Sequence, residues 1–462
     1  MKLSKIKNIH FIGIGGVGMV GIAEMLLNQG FAVSGSDLVE NKNTERLKYL
    51  GAKIFIGHNE KNVRDSDVVV YSTAVTESNP EMRCARSLNK TIIARAEMLS
   101  SLMRGFQSIA VAGSHGKTTT TSLVANIFIK AKLDPTYIIG GRILGQEDKS
   151  ILGSSEYLIV EADESDASFL HLSPEISVIT NVDNDHLDFY ENNIEKLNET
   201  FHQFLENLPF YGTAIICIDE ERAKKLFNDL ARPKISYGFS RSADYYLKDL
   251  KQVSNFQEFT LVRNSVGKEV RLKLKIAGRH NALNATAAYI VAKEAGITTK
   301  TIKDSLKSFG GVSRRLEFKG DLKISNKKIK LLDDYGHHPT EISATVAAIK
   351  SSNKNKKVNM IFQPHRYSRS SILFDDFMEC LEAVDKVIIL DIYSAGEQNT
   401  ERISSYDFVN SLIKRGKKAF FAKNLKEISK ILEAEVMNNE ILVTQGAGNI
   451  VDISNSLLAM YK

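Results

Sequence analysis

The stretch that decides the fold is SIAVAGSHGKTTTTSLVANIF, residues 108–128, because it has the pattern of a strand, a glycine loop and a helix in succession. Glycines in such a loop let backbone N–H groups turn towards an anion, and the helix N-terminus adds its positive end. Lys117 is expected to reach the β- and γ-phosphates of a nucleotide, and the Thr118 hydroxyl to hold Mg²⁺. Val111 stands where the full Walker pattern requires glycine, so the loop is a shortened variant. The stretch predicts an ATP site formed by Gly113, Ser114, His115, Gly116, Lys117, Thr118 and Thr119.

A second glycine loop lies near the start of the chain, in IHFIGIGGVGMVGIAEML, residues 9–26. Gly13, Gly15 and Gly18 have the spacing G-x-G-x-x-G, and Asp37 follows about 20 residues later, where dinucleotide-binding folds keep a ribose-binding acid. Strand–loop–helix units of this kind bind many diphosphates, so the pattern alone does not separate NAD from another nucleotide.

Two later segments place polar residues at the ends of apolar strands. Glu161 lies at the carboxyl end of the first strand, in YLIVEADESDASFL, residues 157–170. Asp183, Asp185 and His186 lie at the carboxyl end of the second strand, in SVITNVDNDHLDFY, residues 177–190. Because Mg²⁺ prefers oxygen ligands, Thr118 and Glu161 are a suitable pair, while His186 is a less usual ligand whose ordinary role is core packing or capping. Three further carboxylates are interpreted as turn or cap residues: Asp163, Asp166 and Asp188.

Strand-like runs alternate with helix-like runs along the whole chain, which predicts α/β domains with largely parallel sheets. The length of 462 residues exceeds that of a single core. We expect three domains: a Rossmann-like N-terminal domain at 1–106, a central P-loop ATPase-like domain at 107–312, and a C-terminal Rossmann-like α/β domain at 313–462.

The composition is that of an ordinary globular protein, with 43% hydrophobic and 25% charged residues. No apolar run reaches the roughly 18 residues of a membrane span, and the N-terminus runs straight into a strand and turn, so neither a membrane helix nor a signal peptide is expected. The three cysteines, Cys84, Cys217 and Cys380, form no CxxC pair and favour a reducing cytoplasm. The net charge of +6 is scattered, which suits small anionic ligands and does not indicate nucleic-acid or membrane partners.

Eight segments together carry a family resemblance. They are, in order, HFIGIGGVGM, GSHGKTTTT, EADESDASF, TNVDNDHLD, AGRHNALNA, DDYGHHPTE, QPHRYSR and GAGNI. From end to end the chain resembles the Mur ligases, the ATP-dependent amide-forming enzymes of bacterial peptidoglycan synthesis. GHHPTE and QPHRYSR are typical of the branch that attaches the first amino acid. Val20 and Ser114 replace the family's usual Ser and Thr, without a change in the expected chemistry.

The resemblance implies a reaction and its partners. The expected activity is ligation of L-alanine to the lactyl carboxylate of UDP-N-acetylmuramate through an acyl phosphate, with ATP as co-substrate and Mg²⁺ as cofactor. The first domain then holds the UDP part of the sugar nucleotide, the central domain ATP, and the third domain closes over both with the amino acid. A monomer and a homodimer both remain open.

The resemblance also implies roles for individual residues. Lys117 neutralises the transferred phosphoryl group. The metal ligands are Thr118, Glu161 and His186, and the residues near the adenosine are His280, Asn281 and Asn284. The UDP-sugar contacts are Gly15 and Gly16, with Asp37, His58 and Ser72 as weaker candidates. Residues expected around the sugar, its carboxylate and alanine are Tyr335, His337, Arg366, Arg369 and one of Arg314 and Arg315.

Several alternatives stay open. His337 is a candidate base for alanine's amine, or else only orients alanine's carboxylate. His58 is equally well an exposed loop histidine. The alternative for the arginines is a surface ion pair, although two arginines with His365 in QPHRYSR, just after an apolar strand, favour a ligand role. Some related ligases use a carbamylated lysine, for which Lys196 is no convincing counterpart. Rival functions are a muropeptide-recycling ligase that adds a tripeptide, an NAD-dependent oxidoreductase and a non-catalytic ATP-binding regulator.

Overall fold

The structure is a computed structural model that describes residues 5–72, 74–145, 150–253 and 256–462. The chain divides into two compact units. The first unit contains Met1–Lys248, Leu261–Val270 and Leu283–Leu306, and the second contains Asp249–Thr260, Arg271–Ala282 and Lys307–Lys462.

The N-terminal part of the first unit is a parallel sheet with flanking helices. Its strands are β1 Asn8–Ile12, β2 Ala32–Asp37, β3 Lys53–Ile56, β4 Val68–Tyr71 and β5 Thr91–Ala94, and its helices are α1 Val17–Asn28, α2 Lys42–Tyr49, α3 Pro80–Ser87 and α4 Arg95–Met103. The strand order is β3-β2-β1-β4-β5, and the paired strands are parallel. The carboxyl ends of β1, β2, β3 and β4 therefore share one edge.

A second sheet follows in the same unit. Its strands are β6 Gln107–Ala112, β7 Thr136–Ile138, β8 Ser150–Ile151, β9 Tyr157–Glu161, β10 Ile176–Ile179, β11 Thr213–Cys217 and β12 Lys234–Gly238, in the order β12-β11-β10-β6-β9-β7-β8. Only the β7–β8 pair among these is antiparallel. Helices α5 Lys117–Lys130, α6 Ile194–Glu206 and α7 Glu221–Asp229 connect them. The chain continues through β13 Tyr245–Val253, β14 Phe256–Arg263, β15 Lys268–Leu274, α8 Arg279–Glu294 and α9 Thr299–Ser308, where the division between the units falls.

The second unit contains the third sheet. Its strands are β16 Glu317–Ile324, β17 Lys327–Asp334, β18 Val358–Phe362, β19 Lys386–Ile389, β20 Lys418–Phe421 and β21 Ile441–Gln445, in the order β16-β17-β21-β18-β19-β20. Strand β16 is antiparallel to β17, and the other paired strands are parallel. The helices are α10 Pro339–Ser352, α11 Tyr367–Ile372, α12 Phe374–Glu382, α13 Ser405–Lys414, α14 Leu425–Glu435 and α15 Ile450–Tyr461.

Apolar strands buried on both faces explain this architecture. Every residue of β18 and β21 is buried, as are the last five residues of β6. Strands of this kind need helices on both sides of a parallel sheet. The prediction of α/β domains with largely parallel sheets is confirmed, whereas the boundaries at 106/107 and 312/313 stay predictions. Among the described residues, no helix combines the length and apolar character needed to cross a bilayer.

Candidate active site

The central glycine loop lies between β6 and α5 and is held by the end of β10. Gly113 and Gly116 have positive φ angles of 127° and 84°, a conformation that side chains disfavour. The Thr180 hydroxyl donates to His115 O at 2.6 Å, and the Asn181 side chain both accepts from His115 N at 2.8 Å and donates to His115 O at 3.0 Å. The loop motif did not reveal Thr180 or Asn181, because they come from another strand.

Lys117 begins α5 and folds back over the loop. Its Nζ donates to Gly113 O at 2.7 Å, to Ser114 O at 3.1 Å and to Glu164 Oε1 at 2.7 Å. Burial acts to lower the pKa of Lys117, but the charges of Glu164 and Asp163 outweigh it and raise that pKa. Lys117 is therefore positively charged at the centre of the loop.

Two of the three predicted metal ligands are in direct contact. The Thr118 hydroxyl donates to Glu161 Oε1 at 2.7 Å, and Gly140 N donates to Glu161 Oε2 at 2.6 Å. A hydroxyl and a carboxylate that converge in this way offer the hard oxygen atoms that suit Mg²⁺. The third, His186, lies after β10 with a positive φ of 55°, and its Nε2 is 3.6 Å from Asp185 Oδ2.

Other carboxylates near this loop have local roles. Asp183 Oδ2 is 2.9 Å from His115 Nε2, and Asp183 N donates to the Ser114 hydroxyl at 2.9 Å, so Asp183 braces the loop. Asp163 and Asp166 each accept a backbone N–H two residues ahead at 3.0 Å. This confirms their interpretation as turn residues.

The predicted adenosine-side residues all lie on α8. Asn284 lies directly against the loop, because a Cβ atom added to Gly116 would come within 2.7 Å of Asn284 Oδ1. His280 and Asn281 belong to the second unit, where Asn281 Nδ2 donates to Ala277 O at 2.6 Å.

The N-terminal glycine loop is closed by Asp37. Asp37 Oδ2 accepts from Gly15 N at 2.8 Å, and Gly16 is the N-cap of α1. Ser72 lies beside Gly13, since a Cβ added to Gly13 would be 3.6 Å from Ser72 Cβ. Residues proposed for nucleotide contacts thus meet at the carboxyl ends of β1, β2 and β4.

His58 belongs to a buried polar cluster that the sequence analysis missed. Its side chain is 16% exposed, and its Nδ1 lies 2.9 Å from the Ser36 hydroxyl and 3.4 Å from Glu81 Oε2, so it is not an exposed loop histidine. Glu81 is 0% exposed and accepts from Ser36, from Asn62 Nδ2 and from a backbone N–H. Burial acts to raise the pKa of Glu81, but hydrogen bonds led by His10 lower it to about 2.

We expect Glu81→Gln to lower the free energy of unfolding by about 3 kcal/mol at neutral pH, since each unit of pKa depression is worth about 1.4 kcal/mol. A carboxyl group whose pKa is lower in the folded state stabilises that state at pH values above its unfolded pKa of 4.5. This contribution is lost as the pH falls towards 2, the pKa of Glu81 in the folded protein. Urea unfolding at pH 7 and pH 3 measures the difference. Glu77→Gln, at an exposed glutamate of the same sheet region, is the control. A loss as large at pH 3 as at pH 7 would contradict the prediction.

In the second unit, Tyr335 contacts both candidate arginines. The guanidinium carbons of Arg314 and Arg315 are 5.0 and 5.1 Å from the Tyr335 ring centroid. Arg314 also donates to Asp333 Oδ2 at 3.2 Å and to a backbone carbonyl, while Arg315 donates to Glu341 Oε1 at 3.3 Å. Burial raises the pKa of Asp333 despite its bonds to Thr444 and Arg314. The choice between the two arginines stays open.

Part of the GHHPTE segment forms the N-terminus of helix α10. His338 is the N-cap of α10, Pro339 is its first residue, and Glu341 completes a capping box. Glu341 Oε2 also accepts from His337 N at 2.9 Å. His337 Nδ1 lies 3.3 Å from Tyr335 O and 3.7 Å from Glu341 Oε2. The histidine proposed as a base is therefore fixed beside a carboxylate.

The QPHRYSR segment forms a second part of this cluster. Arg369 is only 8% exposed, with Nη1 3.4 Å from His365 Nδ1, and His365 stacks on Tyr393 at 5.5 Å between ring centroids. The His337 and His365 rings are 5.4 Å apart. Arg366 has a positive φ of 69°, and its Nε is 3.7 Å from Glu397 Oε1. Tyr393 and Glu397 were missed, although Tyr393 follows the apolar strand β19.

Comparison with known families gives matches along most of the chain. Residues 8–107 match the model described as Mur ligase family, catalytic domain, residues 111–292 the Mur ligase middle domain, and residues 314–448 the Mur ligase, glutamate ligase domain.

Individual relatives agree with the family models. The chain is 47% identical over 448 residues to a UDP-N-acetylmuramate–L-alanine ligase of Vesicomyosocius okutanii subsp. Calyptogena okutanii, covering 97% of this chain and 96% of the relative. The solved UDP-N-acetylmuramate-alanine ligase of Thermotoga maritima has a TM-score of 0.82 and 29% identity, covering 98% of this chain and 99% of that one. A murein peptide ligase of Psychrobacter arcticus has a TM-score of 0.72 and 23% identity, covering 98% of both chains.

Proposed function

The chain belongs to the Mur ligase family, and on that premise we propose that it joins L-alanine to the lactyl carboxylate of UDP-N-acetylmuramate, with ATP converted to ADP and phosphate. The observation that carries the proposal is the 47% identity with an alanine ligase over 97% of the chain. It is supported by the glycine loop, where Lys117 Nζ donates to Gly113 O and the Thr118 hydroxyl donates to Glu161.

The reaction needs activation of an unreactive group. A carboxylate is a poor electrophile, so a carboxylate oxygen first attacks the γ-phosphorus of ATP, the bond to ADP breaks, and an acyl phosphate forms. The amine of alanine then attacks the acyl carbon, loses a proton, and expels phosphate. Lys117 offsets the repulsion between the carboxylate and the triphosphate.

We assign the metal to Thr118, Glu161 and His186, with Mg²⁺ supplying charge neutralisation on the phosphates when bound. Residues 1–106 bind the UDP-sugar through Gly15, Gly16, Asp37, His58 and Ser72. Residues 107–312 bind ATP, and residues 313–462 bind alanine and the sugar carboxylate. The proposed location is the cytoplasm, consistent with the free thiols of Cys84, Cys217 and Cys380.

We propose that His337 accepts the proton of alanine's ammonium group, because Glu341 lies 3.7 Å from its Nδ1 and can stabilise the charged ring. His337→Ala is expected to lower kcat about 10²-fold and to remove the acidic limb of the pH–rate profile. An unchanged profile with the rate retained would exclude His337 as the base. His202→Ala, on α6, is the matched control.

The test of the function is an acceptor comparison. Purified protein is mixed with MgATP and UDP-N-acetylmuramate, and phosphate release is followed with L-alanine or with the tripeptide used by recycling ligases. We expect phosphate only when the sugar and alanine are both present. A preference for the tripeptide would assign the recycling reaction, and no phosphate above the omission controls would reject both ligase functions.

A further inference from the structure

Glu164 is a buried carboxyl group to which the reaction as described gives no role. Its side chain is 1% exposed, and its Oε1 accepts from Lys117 Nζ at 2.7 Å. Its Oε2 is buried and has no hydrogen-bond partner among the described residues. Lys117 therefore supplies the positive charge that favours the ionised form of this carboxyl group inside the protein.

Lys117 has no N–H left for a nucleotide in this arrangement. An ammonium group carries three N–H donors, and they are directed to Gly113 O, Ser114 O and Glu164 Oε1. The two carbonyls belong to the loop itself, whereas Glu164 is an anion that competes with phosphate. A phosphate group that binds Lys117 displaces one of these three acceptors, and Glu164 is the one whose negative charge a phosphate repels.

Loss of Lys117 would leave Glu164 in negative surroundings. Asp163 directly precedes Glu164 and Asp166 follows it two residues later. The buried Tyr190 donates its hydroxyl to the backbone carbonyl of Glu164. Arg95, from α4, has its Nη2 4.0 Å from Asp163 Oδ2. A buried carboxylate without a counter-charge is costly, and proton uptake removes that cost.

We propose that Glu164 is a positioning residue of the ATP site: it holds Lys117 in the nucleotide-free enzyme, and MgATP binding moves Lys117 onto phosphate while Glu164 takes up one proton. The inference rests on the ATP site of the proposed function. The hydrogen bond from Nζ to Oε1 breaks, one from Nζ to a phosphate oxygen forms, and an O–H bond forms on Glu164 with a proton from the buffer. Burial raises the pKa of Glu164 to about 7; the charge of Lys117 opposes this effect and the charge of Asp163 adds to it. Proton uptake by Glu164 on MgATP binding therefore occurs near neutral pH.

The experiment is calorimetric titration of the full-length enzyme with MgATP, without UDP-sugar, in buffers of low and high ionisation enthalpy. At pH 7.5 we expect the buffer dependence to show net uptake of a fraction of one proton per ATP, because part of the Glu164 population is already protonated in the nucleotide-free enzyme. The same linkage predicts an affinity for MgATP that falls severalfold between pH 7 and pH 8, by at most about tenfold for one proton.

Two variants separate this role from a structural one. Glu164→Gln is expected to abolish the proton uptake, to flatten the pH dependence and to bind MgATP more tightly than the wild type at pH 8. Glu156→Gln, the same change at an exposed position before β9, should behave like the wild type.

Each outcome decides the inference. MgATP binding to the wild type without proton uptake would overturn it and leave the ATP site intact, and this measurement does not depend on the folding of any variant. Uptake that persists in folded Glu164→Gln would overturn it as well. Failure of the wild type to bind MgATP at all would reject the proposed function and this inference together.

Discussion

Lys117→Ala is expected to lower kcat by at least about 10³-fold, since a cation that contacts the transferred phosphoryl group in the ATP complex contributes most when water is excluded. Its Nζ lies at the centre of the glycine loop, on Gly113 O and Glu164 Oε1. The fold should survive, because Glu164, with a pKa raised to about 7, can take up a proton when its partner is removed. Phosphate release with all three substrates measures the loss.

The control for this change is Lys130→Ala, which removes an exposed lysine from the last turn of the same helix. Both variants should unfold at nearly the wild-type temperature and bind UDP-N-acetylmuramate like the wild type, because the proposed UDP contacts lie on the N-terminal sheet. An active Lys117→Ala enzyme would remove ATP from the reaction as proposed.

Gly113→Ala is expected to reduce kcat/KM for ATP by at least about 10²-fold, the usual effect of displacing a reacting group by about 1 Å. The added Cβ would lie 2.1 Å from Thr180 Oγ1 and 2.9 Å from Asn181 O, and the φ of 127° already disfavours a side chain. Thr180 and Asn181 hold His115, so relief of the clash moves the loop. We also expect a loss of about 2 kcal/mol in stability.

Gly105→Ala is the matched control, because a Cβ at Gly105 meets nothing within 4 Å. Steady-state kinetics in ATP and thermal unfolding of both variants measure the difference. Wild-type kinetics for Gly113→Ala would mean that the loop between β6 and α5 does not position the nucleotide.

The sequence predicted the fold class and the glycine loops because these features are local. The shape of the GSHGKT loop depends on backbone conformations that neighbouring residues determine. Apolar strands that alternate with helices predict parallel sheets. Thr118 and Glu161 could be paired in advance, since Glu161 ends β9, the loop before Thr118 follows β6, and the carboxyl ends of these two parallel strands share an edge. The roles of these residues in catalysis stay predictions.

What the sequence did not predict depends on contacts between distant segments. Glu81 contacts His58, and Asp333 contacts Arg314. The packing of neighbouring strands brings each pair together, and no local sequence pattern specifies that packing. His338, in a segment typical of the family, turned out to cap α10.

The amino-acid sequence by itself determined that this chain builds α/β domains with two glycine loops, because chain neighbours alone set those strand–loop–helix units. Only the tertiary structure decided which buried carboxylate faces Lys117. Strand order places β9 beside β6 and so brings Glu164 to within 2.7 Å of a lysine 47 positions earlier in the chain. Burial then shifts the pKa values of Glu164 and Lys117, because desolvation acts on these groups only after the surrounding helices and strands have packed.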